Sequence, residues 1–364
     1  MQRLSTLFAL FLWISAPVVL HGETLSLSVS AESAILMNAD TGAILYEKNA
    51  HTERFPASIT KVATALYALK VQGHAMDVPV AAEHESIATV TEEARRRSNY
   101  KLPPFWLTTD GSHIGIKKGE ILSFKDLIYG MMIASGNDAA NVIAQHVGGT
   151  IPAFVEELNQ YLKEIGCTNT TFCNPHGLHH PKHKTTAYEM ALITKEALHY
   201  PLFREIVKTA RYTRPKTNKQ DASTLIQTNK LLRNGKLFYS KAIGVKTGFH
   251  SDAGHTFVAA ASHDGRTLIA VLMKTKERED IFKDAKKMFE AAFSQTAVQR
   301  ILLKKGPQRF ALNLDGAAKT IQSYIKNDVC IDYYPAEEPK IKCTLSWDKI
   351  TPPLFKDQDR KSVV

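Results

Sequence analysis

Ser58-Ile59-Thr60-Lys61 places a hydroxyl and an amine three positions apart. On a helix that spacing brings both side chains to one face, so Ser58 Oγ and Lys61 Nζ can meet. A serine hydroxyl is a weak nucleophile until a base takes its proton. A lysine becomes that base when burial or nearby positive charge lowers its pKa. The spacing alone is common, since Ser98, Ser323 and Ser346 each have a lysine three residues on. Two further groups single out Ser58. Ser135-Gly136-Asn137 is the only Ser-x-Asn in the chain and Lys246-Thr247-Gly248 the only Lys-Thr-Gly. The first offers a hydroxyl for proton relay and an amide to hold a substrate amide. The second offers Lys246 and Thr247 to a carboxylate, with Gly248 letting a substrate lie along a strand edge.

The surrounding elements must carry these groups to one place. Ser33–Leu36 and Ala43–Tyr46 read as strands about the Asp40-Thr41-Gly42 turn. From Ile59 the apolar positions Val62, Ala63, Leu66 and Leu69 follow helical spacing, with Pro56 just upstream. Ser123-Phe124-Lys125-Asp126 is a cap opening a second helix through Met132. Another helix runs from Asp138 towards Val147 and stops at Gly148-Gly149. Helices are also expected over Ile151–Ile165, Thr186–Leu198 and Asp280–Phe293. After residue 240 the period changes to strands, Ala242–Gly248, Phe257–Ser262 and Thr267–Met273, the last two joined by Asp264-Gly265. Strands at both ends with helices between them imply an α+β domain over residues 30–295. Short alternating runs, Val329–Tyr334 and Ile341–Trp347, imply a small β-rich domain over 296–354, and 355–364 is a polar tail.

In this order, on helix, loop and strand, the three groups resemble those of the penicilloyl-serine transferases, the superfamily of penicillin-binding proteins and serine β-lactamases. Within it the chain is most similar to the low-molecular-mass D-alanyl-D-alanine carboxypeptidases of the peptidase S11 kind. Ala34 to Gly42, Asn174-Pro175-His176-Gly177-Leu178, and Val245 to Gly248 followed by Ala253-Gly254 add to the likeness. The resemblance implies a β-lactamase/transpeptidase-like catalytic domain, an antiparallel sheet flanked by helices. It implies that Ser58 attacks the penultimate D-Ala carbonyl of a peptidoglycan stem peptide with Lys61 as base. Ser135 then relays a proton to the leaving D-Ala, Asn137 holds the peptide amide, and Lys246, Thr247 and Gly248 bind the terminal carboxylate and strand edge. The N–H groups of Ser58 and Phe249 form the oxyanion hole. β-Lactams acylate the same serine. No cofactor and no metal enter this scheme. Relatives often carry an Arg upstream of Lys-Thr-Gly as a further carboxylate contact, and here Lys230 or Arg233 is the candidate. His176 and His250 read as structural.

Three related readings use the same residues or the same fold. A D,D-endopeptidase shares the residues. A class A β-lactamase needs a deacylating Glu, and Glu156-Glu157-Leu158-Asn159 puts Val155 at that position. A non-catalytic wall-binding protein would not need every motif residue intact.

Residues 1–22, with Arg3 ahead of an apolar run Leu7–Val19, read as a secretory signal cleaved after Gly22, too short to span a bilayer. The protein is therefore expected outside the cytoplasm, periplasmic or at the cell envelope. Export makes the four cysteines disulfide candidates, with Cys167–Cys173 and Cys330–Cys343 the simplest pairing. Cys167, Cys173, His176, His179, His180 and His183 form a dense group, but Cys-x5-Cys-x2-His matches no standard zinc spacing. The 364 residues carry 46 Lys and Arg against 36 Asp and Glu, a net +10, with 44% hydrophobic residues. That composition excludes a disordered chain or a multi-span membrane protein. The basic residues are spread rather than clustered with aromatics, which argues against nucleic acid and suits anionic glycan or membrane surfaces. Asp348–Val364, broken by Pro352-Pro353, is too short for a membrane-lying terminal helix. Attachment by protein contacts, by an uncleaved N-terminus, or none at all stays open. Residues 84–118, with Arg95-Arg96-Arg97, Tyr100, Phe105 and Trp106, are a solvated loop, part of the rim of the cleft or a docking surface.

Overall fold

The structure, a computed structural model, describes residues 24–313 and 320–343. The expected leader and polar tail, and the run beyond Cys343, lie outside them.

A five-stranded antiparallel sheet forms the centre. Its strands are β1 (Ser33–Asn38), β2 (Ile44–Lys48), β3 (Ala242–His250), β4 (Gly254–His263) and β5 (Arg266–Thr275), in spatial order β2-β1-β5-β4-β3. The N-terminal hairpin and the late three-stranded meander thus join through β1 and β5, with Ala34 opposite Leu272 and Leu36 opposite Ala270. Alternate residues of these strands enter two separate cores, as the pleat requires. Ile35, Met37, Val258, Ala260, Ile269 and Val271 face one core. Ala34, Leu36, Phe257, Ala259, Leu268 and Ala270 face the other.

The first core is covered by α1 (Lys61–Gln72), α3 (Phe124–Ile133), α4 (Asn137–Gly148), α5 (Ile151–Glu164), α6 (Ala187–Leu198) and α7 (Pro201–Lys208). A shorter helix, α2 (Glu92–Arg97), lies between α1 and α3 in the chain. The second core is closed by α8 (Asp280–Phe293), which contributes Ile281, Phe282, Ala285, Met288 and Phe289. Local chemistry sets several helix starts. Ser123 Oγ accepts the Asp126 N–H and Thr186 Oγ1 accepts that of Glu189, satisfying first-turn donors of α3 and α6. The α4 helix ends at Gly149, whose φ of +71° suits a residue without a Cβ.

Among the described residues, four strands follow α8: β6 (Val298–Leu303), β7 (Gly306–Leu312), β8 (Ile321–Ile325) and β9 (Val329–Tyr333). They pair as β6 with β9 and β7 with β8, both antiparallel. Glu337 ties this end of the chain to the central sheet, accepting a hydrogen bond from Asn38 Nδ2 at 2.7 Å and pairing with Arg266. Among the described residues, no helix is long and apolar enough to cross a membrane.

The expected disulfides do not form, and all four cysteines are free thiols. Cys167 is buried beneath α6 with its Sγ 3.7 Å from Glu189 O, whereas Cys173 turns towards His180. Burial raises both thiols, to about 12 and about 11. Cys330 lies on β9, which pairs with β6, and residues 341–343 form no strand.

Candidate active site

Ser58 does not sit on the regular helix expected from Ile59. It lies in a 3-10 turn, Ala57–Thr60, that runs directly into α1. Side chains three apart nearly eclipse in such a turn, so the Ser–Lys meeting survives the change of geometry. Lys61 Nζ lies 3.0 Å from Ser58 Oγ. The preceding residue, Ala57, has a φ of +51°, an uncommon conformation for a residue with a Cβ. It is held there from three sides. Thr60 Oγ1 donates to Ala57 O at 2.8 Å, and Thr256 Oγ1 donates to Pro56 O at 2.8 Å. Gly177 packs so closely that a Cβ on it would stand 1.9 Å from Ala57 O.

Gly177 belongs to the Asn174–Leu178 loop, which folds on its own side chain: Asn174 Oδ1 accepts the Gly177 N–H and Asn174 Nδ2 donates to Leu178 O. The loop presents two carbonyls to α1. Pro175 O accepts from Thr64 Oγ1 at 2.6 Å and His176 O accepts from Lys61 Nζ at 2.6 Å. Lys61 also donates to Asn137 Oδ1 at 2.7 Å. Two carbonyl oxygens therefore take two of the amine's protons, and its third position faces Ser58. Lys61 is fully buried. That burial, reinforced by the Lys246 charge and opposed by Asp138, holds it well below the ordinary lysine range. A neutral amine so placed directs its lone pair at the Ser58 hydroxyl, the arrangement of an activated nucleophile.

Ser135 lies in the turn between α3 and α4 with a φ of +65°. Asp138, one residue into α4 beyond Asn137, accepts backbone N–H bonds from Ile114, Gly115 and Ile116 and so fixes the neighbouring wall. Lys246 Nζ, on β3, donates to Ser135 Oγ at 2.9 Å and to Thr247 O at 2.8 Å. Burial lowers Lys246 to about 7. Thr247 Oγ1 donates to Thr228 Oγ1 at 2.8 Å. Gly248 lies against the Ser58 backbone, since a Cβ there would come within 2.8 Å of Ser58 N. All three motifs thus border one open cleft of about 570 Å³. Its walls include Ser58, Ser135, Asn137, Thr247, Gly248 and Phe249, the last with 61% of its surface exposed.

Residues 21–277 match the peptidase S11 family, D-alanyl-D-alanine carboxypeptidase. The chain belongs to this family. It is 32% identical to the D-alanyl-D-alanine carboxypeptidase DacF of Bacillus subtilis over 299 residues, 79% of this chain and 71% of that one. It is 32% identical to DacC of Escherichia coli over 286 residues, 78% of this chain and 66% of that one. Among solved structures, a mutant of the Streptomyces K15 DD-transpeptidase superposes with a TM-score of 0.64 at 28% identity, covering 74% of this chain and all of that one. A D-alanyl-D-alanine carboxypeptidase of Mycobacterium tuberculosis gives 0.63 at 26% identity, covering 76% and 97%. The expected antiparallel sheet flanked by helices is the fold of these S11 relatives.

Several expected details of this S11 site differ. Neither Lys230 nor Arg233 reaches the cleft. Both line a separate small cavity, where Lys230 pairs with Glu279 at 3.4 Å. Thr228 and Arg278 line the cleft instead. Thr228 stands two residues before the candidate Lys230, while no sequence signal marks Arg278. Glu156–Asn159 lies on α5, where Glu156 and Asn159 line another cavity with Pro104 and Phe105, away from Ser58.

Residues 84–118 form a built wall rather than a solvated loop. Arg95 is buried and its guanidinium donates to the Pro104 and Trp106 carbonyls, while Glu92 and Arg96 face the cleft. His176 and His183 are structural. The His176 Nδ1 accepts the Leu178 N–H, so Nε2 donates to Phe105 O; His183 Nδ1 accepts the Cys173 N–H, so Nε2 donates to Thr60 Oγ1. The Cys167-to-His183 group therefore does not converge as one ligand set.

Proposed function

We propose that the chain is a serine-type D-Ala-D-Ala carboxypeptidase that removes the terminal D-Ala from peptidoglycan stem peptides through an acyl-enzyme on Ser58. One observation carries this reading: the buried Lys61 amine, with two protons engaged by Asn137 and His176 O, faces Ser58 Oγ at 3.0 Å. In the proposed cycle Lys61 takes the Ser58 proton as Oγ attacks the penultimate D-Ala carbonyl. The N–H groups of Ser58 and Phe249 stabilise the oxyanion, a contribution of about 3 kcal/mol for a single donor. Ser135 relays that proton from Lys61 to the departing D-Ala nitrogen, so Lys61 and Ser135 are both neutral again.

Lys246 and Thr247, with Thr228 behind Thr247, bind the terminal carboxylate, and Gly248 leaves the strand edge open. Asn137 holds the peptide through its Nδ2, because its Oδ1 is occupied by Lys61. Water then hydrolyses the ester on Ser58. β-Lactams, which present an amide carbonyl beside a carboxylate, acylate Ser58 by the same route. We further assign residues 30–295 as the catalytic domain and 296–354 as an appended β domain that positions the catalytic domain or binds a partner. We place the protein outside the cytoplasm, at the cell envelope.

The test uses protein lacking residues 1–22, a peptide ending in D-Ala-D-Ala, and measurement of free D-Ala. Release by the parent and none by Ser58→Ala is expected. Equal release by both would remove Ser58 from the mechanism, and release by neither would point to cross-linked substrates or a binding role.

A further inference from the structure

We propose that His179, His250 and Asp252 form a binding site for a zinc ion at the rim of the catalytic cleft. The three come from two separate segments, His179 from the loop just after Leu178 and the others from the end of β3 and the turn into β4. One ligand atom from each lies within 4.8 Å of the other two. The Asp252 Oδ2 is 3.9 Å from His179 Nδ1 and 4.0 Å from His250 Nδ1. In a tetrahedral zinc site, bonds of about 2.0–2.1 Å place ligand atoms roughly 3.4 Å apart, so Asp252 Oδ2 must close on each histidine by about half an ångström and the two ring nitrogens on each other by at most about 1.4 Å. Two imidazoles and a carboxylate with an open fourth position on the cleft side are a donor set suited to zinc.

A second observation points to the same site. His179 Nδ1 is buried and has no hydrogen-bond partner. A buried polar nitrogen without a partner is costly, and coordination would satisfy it. Its ring is held edge-on by Phe55, with centroids 4.7 Å apart, and by Tyr100 at 5.3 Å. Asp252 is oriented as well: Ser251 Oγ donates to its Oδ2 at 3.2 Å and Lys274 Nζ donates to its carbonyl at 2.7 Å. Such outer contacts are what keep metal ligands aimed. His250 Nδ1 accepts the Ala253 N–H at 3.2 Å, so His250 coordinates through Nε2 or gives up this long contact.

One neighbour competes. Arg96 Nη2 lies 3.7 Å from Asp252 Oδ2. Arg96 is exposed and also pairs with Glu92 at 2.9 Å, to which it can withdraw when a cation arrives. Once bound, zinc would fasten the loop whose His176 carbonyl positions Lys61 to the strand that carries Lys246 and Phe249.

Metal-free protein is titrated with zinc chloride against a chromophoric chelator, with thermal unfolding recorded in parallel. Uptake of one zinc per chain and a rise in midpoint are expected. Asp252→Asn and His250→Gln should each weaken binding at least tenfold and abolish the rise, while Arg96→Ala should tighten binding severalfold. A Cys330→Ser/Cys343→Ser variant should bind as the parent does. Circular dichroism of the zinc-free variants checks that they are folded. No uptake at equimolar micromolar zinc, or folded Asp252→Asn and His250→Gln proteins that bind like the parent, would overturn the assignment.

Discussion

Lys246 Nζ and Ser135 Oγ meet at 2.9 Å although 111 residues separate them in the chain, and both are buried. This contact joins the strand motif to the loop motif and places a second amine near Lys61. The Lys246 charge is one of the causes of the low Lys61 pKa. Replacing it by the neutral Lys246→Met should therefore move the Lys61 pKa upward. The acid limb of the kcat/KM profile shifts to higher pH, and KM rises as the carboxylate loses its cation. An acid limb that stays in place would show that Lys246 acts on substrate alone.

Lys61 must lose a proton to act, and its replacement by arginine keeps charge without basicity, since a guanidinium stays protonated. Lys61→Arg should lower acylation by a fluorescent penicillin about 10²–10⁴-fold, the range for loss of a general base. Gel labelling over time measures it.

Stability should depend on pH through the same buried amines. Lys246 titrates near 7 in the folded chain and at about 10.4 when unfolded. Between those values only the unfolded state holds the proton, so stability rises with pH across that window. Below it both states are protonated and the cost of burying the ammonium is fully present. The buried His176 and His183 are lowered well below the ordinary histidine value by burial first. Below about pH 6.5 the unfolded chain takes up those protons first, so stability falls as the pH drops. Urea midpoints from pH 5 to 10 should follow both slopes, and Lys246→Met should flatten the upper one.

Gly248→Ala tests the closeness of β3 to the nucleophile. The added Cβ would stand 2.5 Å from Thr256 Oγ1 and 2.8 Å from Ser58 N. The strand must withdraw from one of the N–H groups assigned to the oxyanion, and kcat should fall by at least 10²-fold. Circular dichroism should still report a folded protein.

Away from the cleft, Arg214 pairs with Glu120 at 2.9 Å, with side chains only 2% and 0% exposed. Arg214→Ala leaves the carboxylate buried with its hydroxyl and amide donors alone. A loss of about 3–5 kcal/mol is expected in urea unfolding.

Much of this molecule is local enough to be read from its residues. The turn at Asp40-Thr41-Gly42, the Ser123 cap and the Asp264-Gly265 hairpin are decided by neighbours within four positions, and each occurs where expected. Ser58, Lys61, Ser135, Asn137, Lys246 and Thr247 were recognisable because each motif is short and the three recur in a fixed order. The choice of cleft-facing residues was not local. Lys230 and Thr228 are two positions apart, yet only Thr228 meets Thr247, because the 3-10 turn over Lys230–Leu232 swings Lys230 to Glu279.

The same distinction separates what the sequence alone determined from what tertiary structure decided. Residue type and spacing determined the family and singled out Ser58 and Lys61 as the candidate pair. Folding decided which cations meet which anions and which thiols stay apart. It also decided that the Asn174–Leu178 loop hands a carbonyl to Lys61, and that His179 faces His250 and Asp252. Those contacts join segments tens to hundreds of residues apart. Pairwise distances of that kind depend on the packing of the whole domain, to which a window of neighbouring residues is blind.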